Sequence, residues 1–152
     1  MPNWCENKIS IWSENKEDMD KFKKKAFKIN KDGDKVFKFN NLIPMPKGLD
    51  IAGGYRGEGT PEQEELEKLQ SLNIKKHGYK DWYDWSNYHW GTKWDVEDVM
   101  ISSEDDDLIE MDFETAWCPP EPVFQYIRTN FPDLTISWFF HEPGMELTGY
   151  LE

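Results

Sequence analysis

Alternation between apolar and polar positions predicts two long β-strands in this chain. One spans Trp4 to Trp12, with Ile9 and Ile11 on its apolar side, and the other spans Leu108 to Ala116. Because successive side chains of a strand point to opposite faces, one face of each strand should be buried and the other open. On the second strand the two rows are Ile109, Met111 and Phe113 against Glu110, Asp112 and Glu114.

Other segments repeat apolar residues every three or four positions, which is the spacing of an amphipathic helix. In residues 19–29 lysines fill the positions between, so this helix should have a basic outer face. Three more helices are predicted to begin at Thr60, at Trp82 and near Pro120. Thr60 followed by Pro61 is a typical helix start, and Gly91 can end the helix that begins at Trp82.

The order of these elements predicts the fold class. Shorter strands are expected over residues 36–41, 94–101, 134–140 and 145–151. The resulting order is strand, helix, strand, insertion, then strand, strand, helix, strand, strand. This order favours an α+β ferredoxin-like sandwich, with an antiparallel-rich sheet and helices on one face. We expect a single domain over residues 1–152 with a helical insertion at about residues 44–92.

Residues 79–95 hold four of the eight tryptophans of the chain together with three tyrosines. So dense a cluster either forms the main core between a helix and the sheet or lines an aromatic pocket, and the composition fits both. We predict that the four tryptophans are mostly buried, because the chain has few other groups large enough to anchor the insertion. They are Trp82, Trp85, Trp90 and Trp94.

Several polar and aromatic residues lie at predicted element boundaries, where binding residues are often found. If these boundaries meet in space, they would line a concave site with tryptophan walls. The alternative is that the tryptophans belong to the core and that the adjoining glycines and prolines form turns. The candidate binding residues are Trp90, Thr92, Lys93, Trp94, Asp95, Trp117, His141 and Glu142.

The net charge of −12 is concentrated in the C-terminal part of the chain. Residues 1–93 carry 17 basic and 15 acidic residues, whereas residues 94–152 carry 15 acidic residues and one base, Arg128. A surface this acidic repels phosphate backbones, so direct nucleic-acid binding is not expected and a basic protein partner is favoured. The candidate acidic face is the row Glu110, Asp112 and Glu114, unless the basic helix folds over it.

No residue pattern predicts a catalytic group, a metal site or a cofactor. The cysteines, Cys5 and Cys118, are not in a metal-ligand spacing and are expected to be reduced, as in a cytoplasm. In a ferredoxin-like sheet we expect their two strands to run parallel, which would place the thiols too far apart for a disulfide. No apolar run is long enough to cross a membrane, and the N-terminus has no secretion signal.

Five motifs occur together in an order that resembles the YubB-type ferredoxin-like family of small phage, prophage and plasmid proteins. They are MPNWCENKISI, FNNLIPMP, WGTKWD, FETAWCPP and FHEPGMELTG. The resemblance covers nearly the whole chain and implies a ferredoxin-like α+β fold without an iron–sulfur cluster. It implies no activity, so no functional residue is carried over from it.

Two functions from different classes follow. The first is a small, acidic, non-enzymatic interaction protein of a phage or other mobile element, which acts in the host cytoplasm on a protein partner. The second is a small-ligand-binding or enzymatic domain that uses a tryptophan-lined cleft around Trp90 to Asp95. The oligomeric state is left open.

Overall fold

The computed structural model describes residues 2–51 and 54–152, so that Met1, Ala52 and Gly53 lie outside the described residues. The predicted insertion at 44–92 and the first family motif each include positions in this undescribed part. The strands are β1 Trp4–Trp12, β2 Phe27–Ile29, β3 Lys35–Phe37, β4 Met100–Glu104, β5 Leu108–Ala116, β6 Thr135–Glu142 and β7 Leu147–Tyr150. The helices are α1 Lys16–Ala26, α2 Phe39–Leu42, α3 Pro61–His77, α4 Trp82–His89 and α5 Glu121–Asn130.

β1 is the central strand of a five-stranded sheet in the order β4-β5-β1-β6-β7, and each neighbouring pair is antiparallel. β4 and β5 form a hairpin, and β5 lies between β4 and β1. β1, β4, β5 and β6, with α1 and α5 as connections, therefore have the strand order of a ferredoxin-like fold, and β7 extends one edge. β2 and β3 form a separate two-stranded ribbon.

One face of the sheet is buried by the helices. The apolar row of β1 packs with that of β5 and with Met19 and Phe22 of α1 and Ile127 of α5. Trp138 of β6 is fully buried there and donates its indole N–H to Asn7 at 3.0 Å. The alternation of both long strands is thus used as the sequence predicts, and the acidic row of β5 lies on the face that the helices leave open.

Two of the short predicted strands differ in the structure. In residues 36–41, β3 ends at Phe37 and the chain then forms the short helix α2. Phe37 and Phe39 are both buried, with ring centroids 6.0 Å apart, so a helical turn buries this pair as well as alternation would. Residues 94–101 form a strand only from Met100 onwards, because Asp95 is engaged in capping α2.

The prediction that all four tryptophans of residues 79–95 are mostly buried is wrong for one of them. Trp85 and Trp90 are 4% and 5% exposed, and Trp82 is partly buried. Trp94 is 40% exposed. The tryptophans are therefore divided, with Trp85 and Trp90 in the core and Trp94 accessible after Gly91.

The expected geometry of the two cysteines is also wrong. β1 and β5 run antiparallel, and Cys5 lies opposite Thr115, so the start of β1 is beside the end of β5 and close to Cys118. The reason is the β4–β5 hairpin, which reverses the direction of β5 relative to β4. Both thiols are free, as predicted.

Candidate functional site

Trp90 and Thr92 fix the segment that leaves α4 to the core. Trp90 donates its indole N–H to the carbonyl of Ile43 at 2.9 Å, and the Thr92 hydroxyl donates to the carbonyl of Ala116 at 3.0 Å. Gly91 between them has φ +78°, and a Cβ there would lie 2.4 Å from Cδ of Pro122. Two of the candidate binding residues, Trp90 and Thr92, are therefore structural and inaccessible.

Trp94 lies on the outside of the same segment and stacks on Trp4 of β1. Their ring centroids are 6.1 Å apart and the planes are inclined by 29°. The ammonium group of Lys93 lies 4.3 Å from the centroid of the Trp94 ring, within the range of a cation–π contact. Both tryptophans are about two-fifths exposed, so their outer edges are available to a partner.

Asp95 caps the N-terminus of α2. Its carboxylate accepts hydrogen bonds from the main-chain N–H groups of Phe39 at 2.6 Å, Asn40 at 3.0 Å and Val96 at 2.8 Å. Burial raises the pKa of Asp95 above its ordinary value, while these three N–H groups and Lys38 oppose the change. This side chain joins the segment after α4 to the segment after β3.

The other three candidates have contacts of their own, and among the described residues no hydrogen bond, ion pair or ring contact joins them to Trp94. Glu142 is buried and accepts hydrogen bonds from the N–H groups of Gly144 at 3.0 Å and Met145 at 2.6 Å, so it caps the turn between β6 and β7. His141 points to the open face, where its Nδ1 is 3.4 Å from a carboxylate oxygen of Glu6. Trp117 is half exposed at the end of β5. The structure therefore does not bring all eight candidates together.

A groove of about 920 Å³ lies beside the second half of β5. Its walls come from β1, β5, the 94–98 segment and the first residue of β4. Of the predicted binding residues, Trp94 and Asp95 line it, and of the predicted acidic face, Asp112 and Glu114 do. The remaining charged residues of its lining are Glu6, Lys8, Glu97 and Asp98.

The groove joins two predictions that the sequence kept separate. The aromatic candidate Trp94 and the acidic candidate Glu114 are far apart in the chain, yet they line the same groove. Sequence reasoning missed Trp4 and Glu6, although both follow from the alternation of β1, which puts them on the face opposite Ile9. The alternation does not predict the strand register, which places Glu6 directly opposite Glu114.

The basic helix α1 does not cover this face. Its lysines interact instead with the acidic turn between β4 and β5, where Nζ of Lys23 lies 3.9 Å from Oε1 of Glu104. Nζ of Lys35, on β3, lies 3.0 Å from the same oxygen. Lys16 lies 3.7 Å from Asp106. The acidic turn is thus partly neutralised within the chain, whereas no ion pair to Glu110, Asp112 or Glu114 occurs among residues 2–51 and 54–152.

The thiols have the environment of structural cysteines. Burial, and then the nearby Cys118, raises the pKa of Cys5 to about 11. Burial also raises the pKa of Cys118, whose Sγ lies 3.0 Å from the carbonyl oxygen of Gly91. Both groups are therefore protonated at neutral pH, which makes them poor nucleophiles. Within the described residues, no cluster of three or more His, Cys, Asp or Glu residues is arranged to hold a metal ion.

In the described part of the chain, no helix has the length and apolarity needed to span a membrane.

Three comparisons bear on the relationship to known proteins. Residues 89–152 match the family model of the ferredoxin-like domain in Api92-like protein. A 71-residue alignment with the uncharacterized protein YubB of Escherichia coli (strain K12) has 32% identity, and it covers 43% of this chain and 49% of YubB. The aligned region thus spans about half the length of that relative.

The crystal structure of protein api92 from Yersinia pseudotuberculosis resembles the whole chain. The match covers 99% of this chain and 93% of api92, with a TM-score of 0.58 and 11% sequence identity. At this identity the similarity establishes the fold alone, and it confirms the predicted α+β ferredoxin-like architecture. Together the three similarities support the predicted relationship to the YubB-type family, and they identify residues 89–152 as similar to the ferredoxin-like domain of Api92-like proteins.

Proposed function

We propose that this protein is a small non-enzymatic interaction protein that binds a basic protein partner through the open face of its sheet. The observation that carries the proposal is the groove beside β5, where Glu6 and Glu114 lie opposite each other on an uncovered surface. The groove also has an accessible aromatic wall, formed by Trp4 and Trp94.

The distribution of charge supports a basic partner. The lysines of α1 interact with the acidic turn and leave the acidic row of β5 without a counter-charge from that helix. Lys8 of β1 lies opposite Asp112 of β5. Among the described residues that line the groove, Lys8 alone is basic. The field at the groove is therefore strongly negative, which steers and orients a positively charged surface.

The facing carboxylates of Glu6 and Glu114 strengthen this argument. Like charges directly opposite each other on neighbouring strands destabilise a sheet. On the β6 side of Glu6, Nδ1 of His141 lies 3.4 Å from a Glu6 carboxylate oxygen. Glu114 is exposed and has no ion pair with a basic side chain among the described residues. A cationic side chain from a partner would remove the repulsion, so binding and relief of strain act in the same direction.

A small-ligand-binding function is the second candidate, and the volume of the groove favours it. About 920 Å³ is within the size range of small-molecule pockets, and a half-exposed tryptophan pair is a common wall for flat or cationic ligands. The raised pKa of both thiols argues against a cysteine nucleophile in this site. An ordered small molecule against Trp94 in a crystal, with no effect of charge reversal, would favour this second function.

The biological setting is also part of the proposal. We assign the protein to a phage or other mobile element acting in the host cytoplasm, on the basis of its resemblance to the YubB-type family and its free thiols. The genes that flank its coding sequence test the first part, since phage or plasmid genes should adjoin it. Fractionation of host cells with antibody detection tests the second.

Charge reversal tests the proposed surface. A variant with Glu110, Asp112 and Glu114 changed to Lys is compared with a matched control in which Glu58, Glu65 and Glu67, on and near α3, are changed to Lys. The net charge of both variants changes equally, and circular dichroism verifies that both are folded. We expect the triple β5 variant to lose a basic partner that the wild type and the control retain, with wild-type association slowing as salt rises. Equal partner binding by all three proteins would exclude this face.

A further inference from the structure

The outer edge of β5 is paired along only part of its length. β4 pairs with β5 from Ile109 to Asp112, where its first residue, Met100, lies opposite Asp112. The chain before Met100 turns away as the 94–98 segment, which forms the far wall of the groove. The last four residues of β5 pair with β1 on one edge, and on the other edge they border the groove without a paired strand.

The hydrogen bonds at the two ends of β5 determine which main-chain groups face outward. The N–H of Trp117 donates to Asn3, and the N–H of Ser13 donates to the carbonyl of Asp107, so odd-numbered residues of β5 face β1. Even-numbered residues face the other way, since the carbonyl of Leu108 accepts from Asp105 and that of Ala116 accepts from Thr92. Main-chain groups alternate in this way along every antiparallel strand.

Glu114 is the even-numbered residue that lies beyond the reach of β4 and before the contact with Thr92. By the alternation, its N–H and C=O both point into the groove. Among residues 2–51 and 54–152, no main-chain or side-chain group forms a hydrogen bond with either of them. An uncovered pair of donor and acceptor at a sheet edge is a template for another strand.

We propose that an extended segment of a basic partner pairs antiparallel with β5 at Glu114, in the gap between Met100 and Trp94. This inference rests on the proposed function and specifies how the partner is held. The added segment continues the line of β4, and its antiparallel direction matches that of each neighbouring pair in the sheet. Strand addition of this kind supplies affinity through main-chain hydrogen bonds and specificity through alternate side chains.

The position of Glu114 defines which side chain of the partner is recognised. Directly opposed residues of an antiparallel pair project their side chains on the same face. The partner residue that exchanges both hydrogen bonds with Glu114 therefore projects over the open face beside the Glu114 carboxylate, with Glu6 one strand further away and Asp112 two positions along β5. We infer that this residue is a lysine or arginine. Its neighbours along the segment point to the other face.

A pair of N-methylated peptides tests the geometry. The probe is a blocked heptapeptide that alternates valine and lysine, and its affinity is measured by calorimetry at low salt. Methylation of the lysine main-chain nitrogens removes the N–H that pairs with Glu114, so we expect at least a tenfold loss of affinity. Methylation of the valine nitrogens alters N–H groups that point away from β5, and we expect the affinity to be kept within about threefold. Equal affinities of the two methylated peptides, or loss with the valine series alone, would overturn the proposal.

Hydrogen exchange tests the protein side of the same contact. Saturation with the unmethylated peptide should slow exchange of the Glu114 amide at least tenfold. The Glu110 amide, which already faces β4, serves as the control and should not change. No slowing at Glu114 while the peptide is bound would overturn strand addition.

The two proposals fail in different ways. If the peptide binds in a salt-sensitive manner and the triple β5 reversal abolishes binding, but neither N-methylation nor Glu114 exchange has an effect, strand addition is wrong and the acidic-face function stands. If neither the peptide nor a basic partner binds in a manner that the reversal affects, the proposed function itself is wrong.

Discussion

Trp90 and Trp94 are four residues apart in one motif, and the structure uses them in opposite ways. Trp90 is 5% exposed, donates its indole N–H to Ile43 and packs with the ring of Phe39 at 6.2 Å. Trp94 is 40% exposed and stacks on Trp4 at the mouth of an acidic groove. The difference arises at Gly91, whose positive φ turns the chain from the helix layer toward the sheet edge. The first region stabilises the fold, and the second offers a surface.

The largest effect should come from the buried tryptophan. Trp90→Ala removes a buried ring and leaves the Ile43 carbonyl without its donor, so we expect a loss of roughly 3–5 kcal/mol in the free energy of unfolding. Trp94→Ala removes a partly exposed stacking partner and should cost only about 1–2 kcal/mol. Urea denaturation of both variants measures the difference. Equal losses would contradict the division between core and surface.

Asp95 connects the two regions, and its removal should have the next largest effect. Asp95→Ala leaves three main-chain N–H groups without an acceptor, two at the start of α2 and that of Val96, which should cost about 2–4 kcal/mol. Asp98 lies on the same segment and is exposed, so Asp98→Ala is the matched control and should change stability by less than about 0.5 kcal/mol. Thermal denaturation compares them, and a stable Asp95→Ala protein would show that the cap is unimportant.

The buried Cys5 thiol should make the free energy of unfolding depend on pH. Its pKa rises from 9.0 to about 11 on folding, so folding favours the protonated thiol. This contribution is complete below pH 9 and is lost as the pH rises toward 11, on the order of 2 kcal/mol. We expect wild type to lose more stability than Cys5→Ala between pH 8.5 and 11 in urea titrations. Cys118→Ala measures the separate contribution of the neighbouring thiol, whose pKa burial also raises, and parallel profiles of wild type and Cys5→Ala would contradict the assignment.

The smallest effect, and one of opposite sign, is expected in the groove. Glu114→Gln removes the repulsion with Glu6 and should stabilise the protein by about 0.2–1 kcal/mol at low salt. Glu121→Gln, an exposed acid in the first turn of α5, is the control and should stabilise nothing, because an acid at a helix N-terminus is favourable. A loss of stability in Glu114→Gln would mean that Glu114 serves the fold rather than a partner.

The two long strands and the helix starts could be predicted from the sequence because each depends on residues close together in the chain. The alternation of β1 and β5 predicts their bounds, Trp4–Trp12 and Leu108–Ala116, and Thr60 caps α3 as its sequence indicates. The prediction of a strand over residues 36–41 was wrong in its second half, because a helical turn and a short strand can both bury two phenylalanines two positions apart.

The site depended on information that local patterns do not hold. Sequence alone predicted the acidic row of β5, a candidate binding role for Trp94 and the free thiols as separate features, and it predicted Trp94 to be buried. Strand pairing decided that Glu6 faces Glu114, that Cys5 lies near Cys118, and that β4 begins too late to cover the end of β5. Register and direction are set by contacts between residues about a hundred positions apart, since the β4–β5 hairpin must bury its apolar row against β1. The alternation along a strand determines which of its side chains share a face. Only the tertiary structure determines which residues of the neighbouring strands lie beside them.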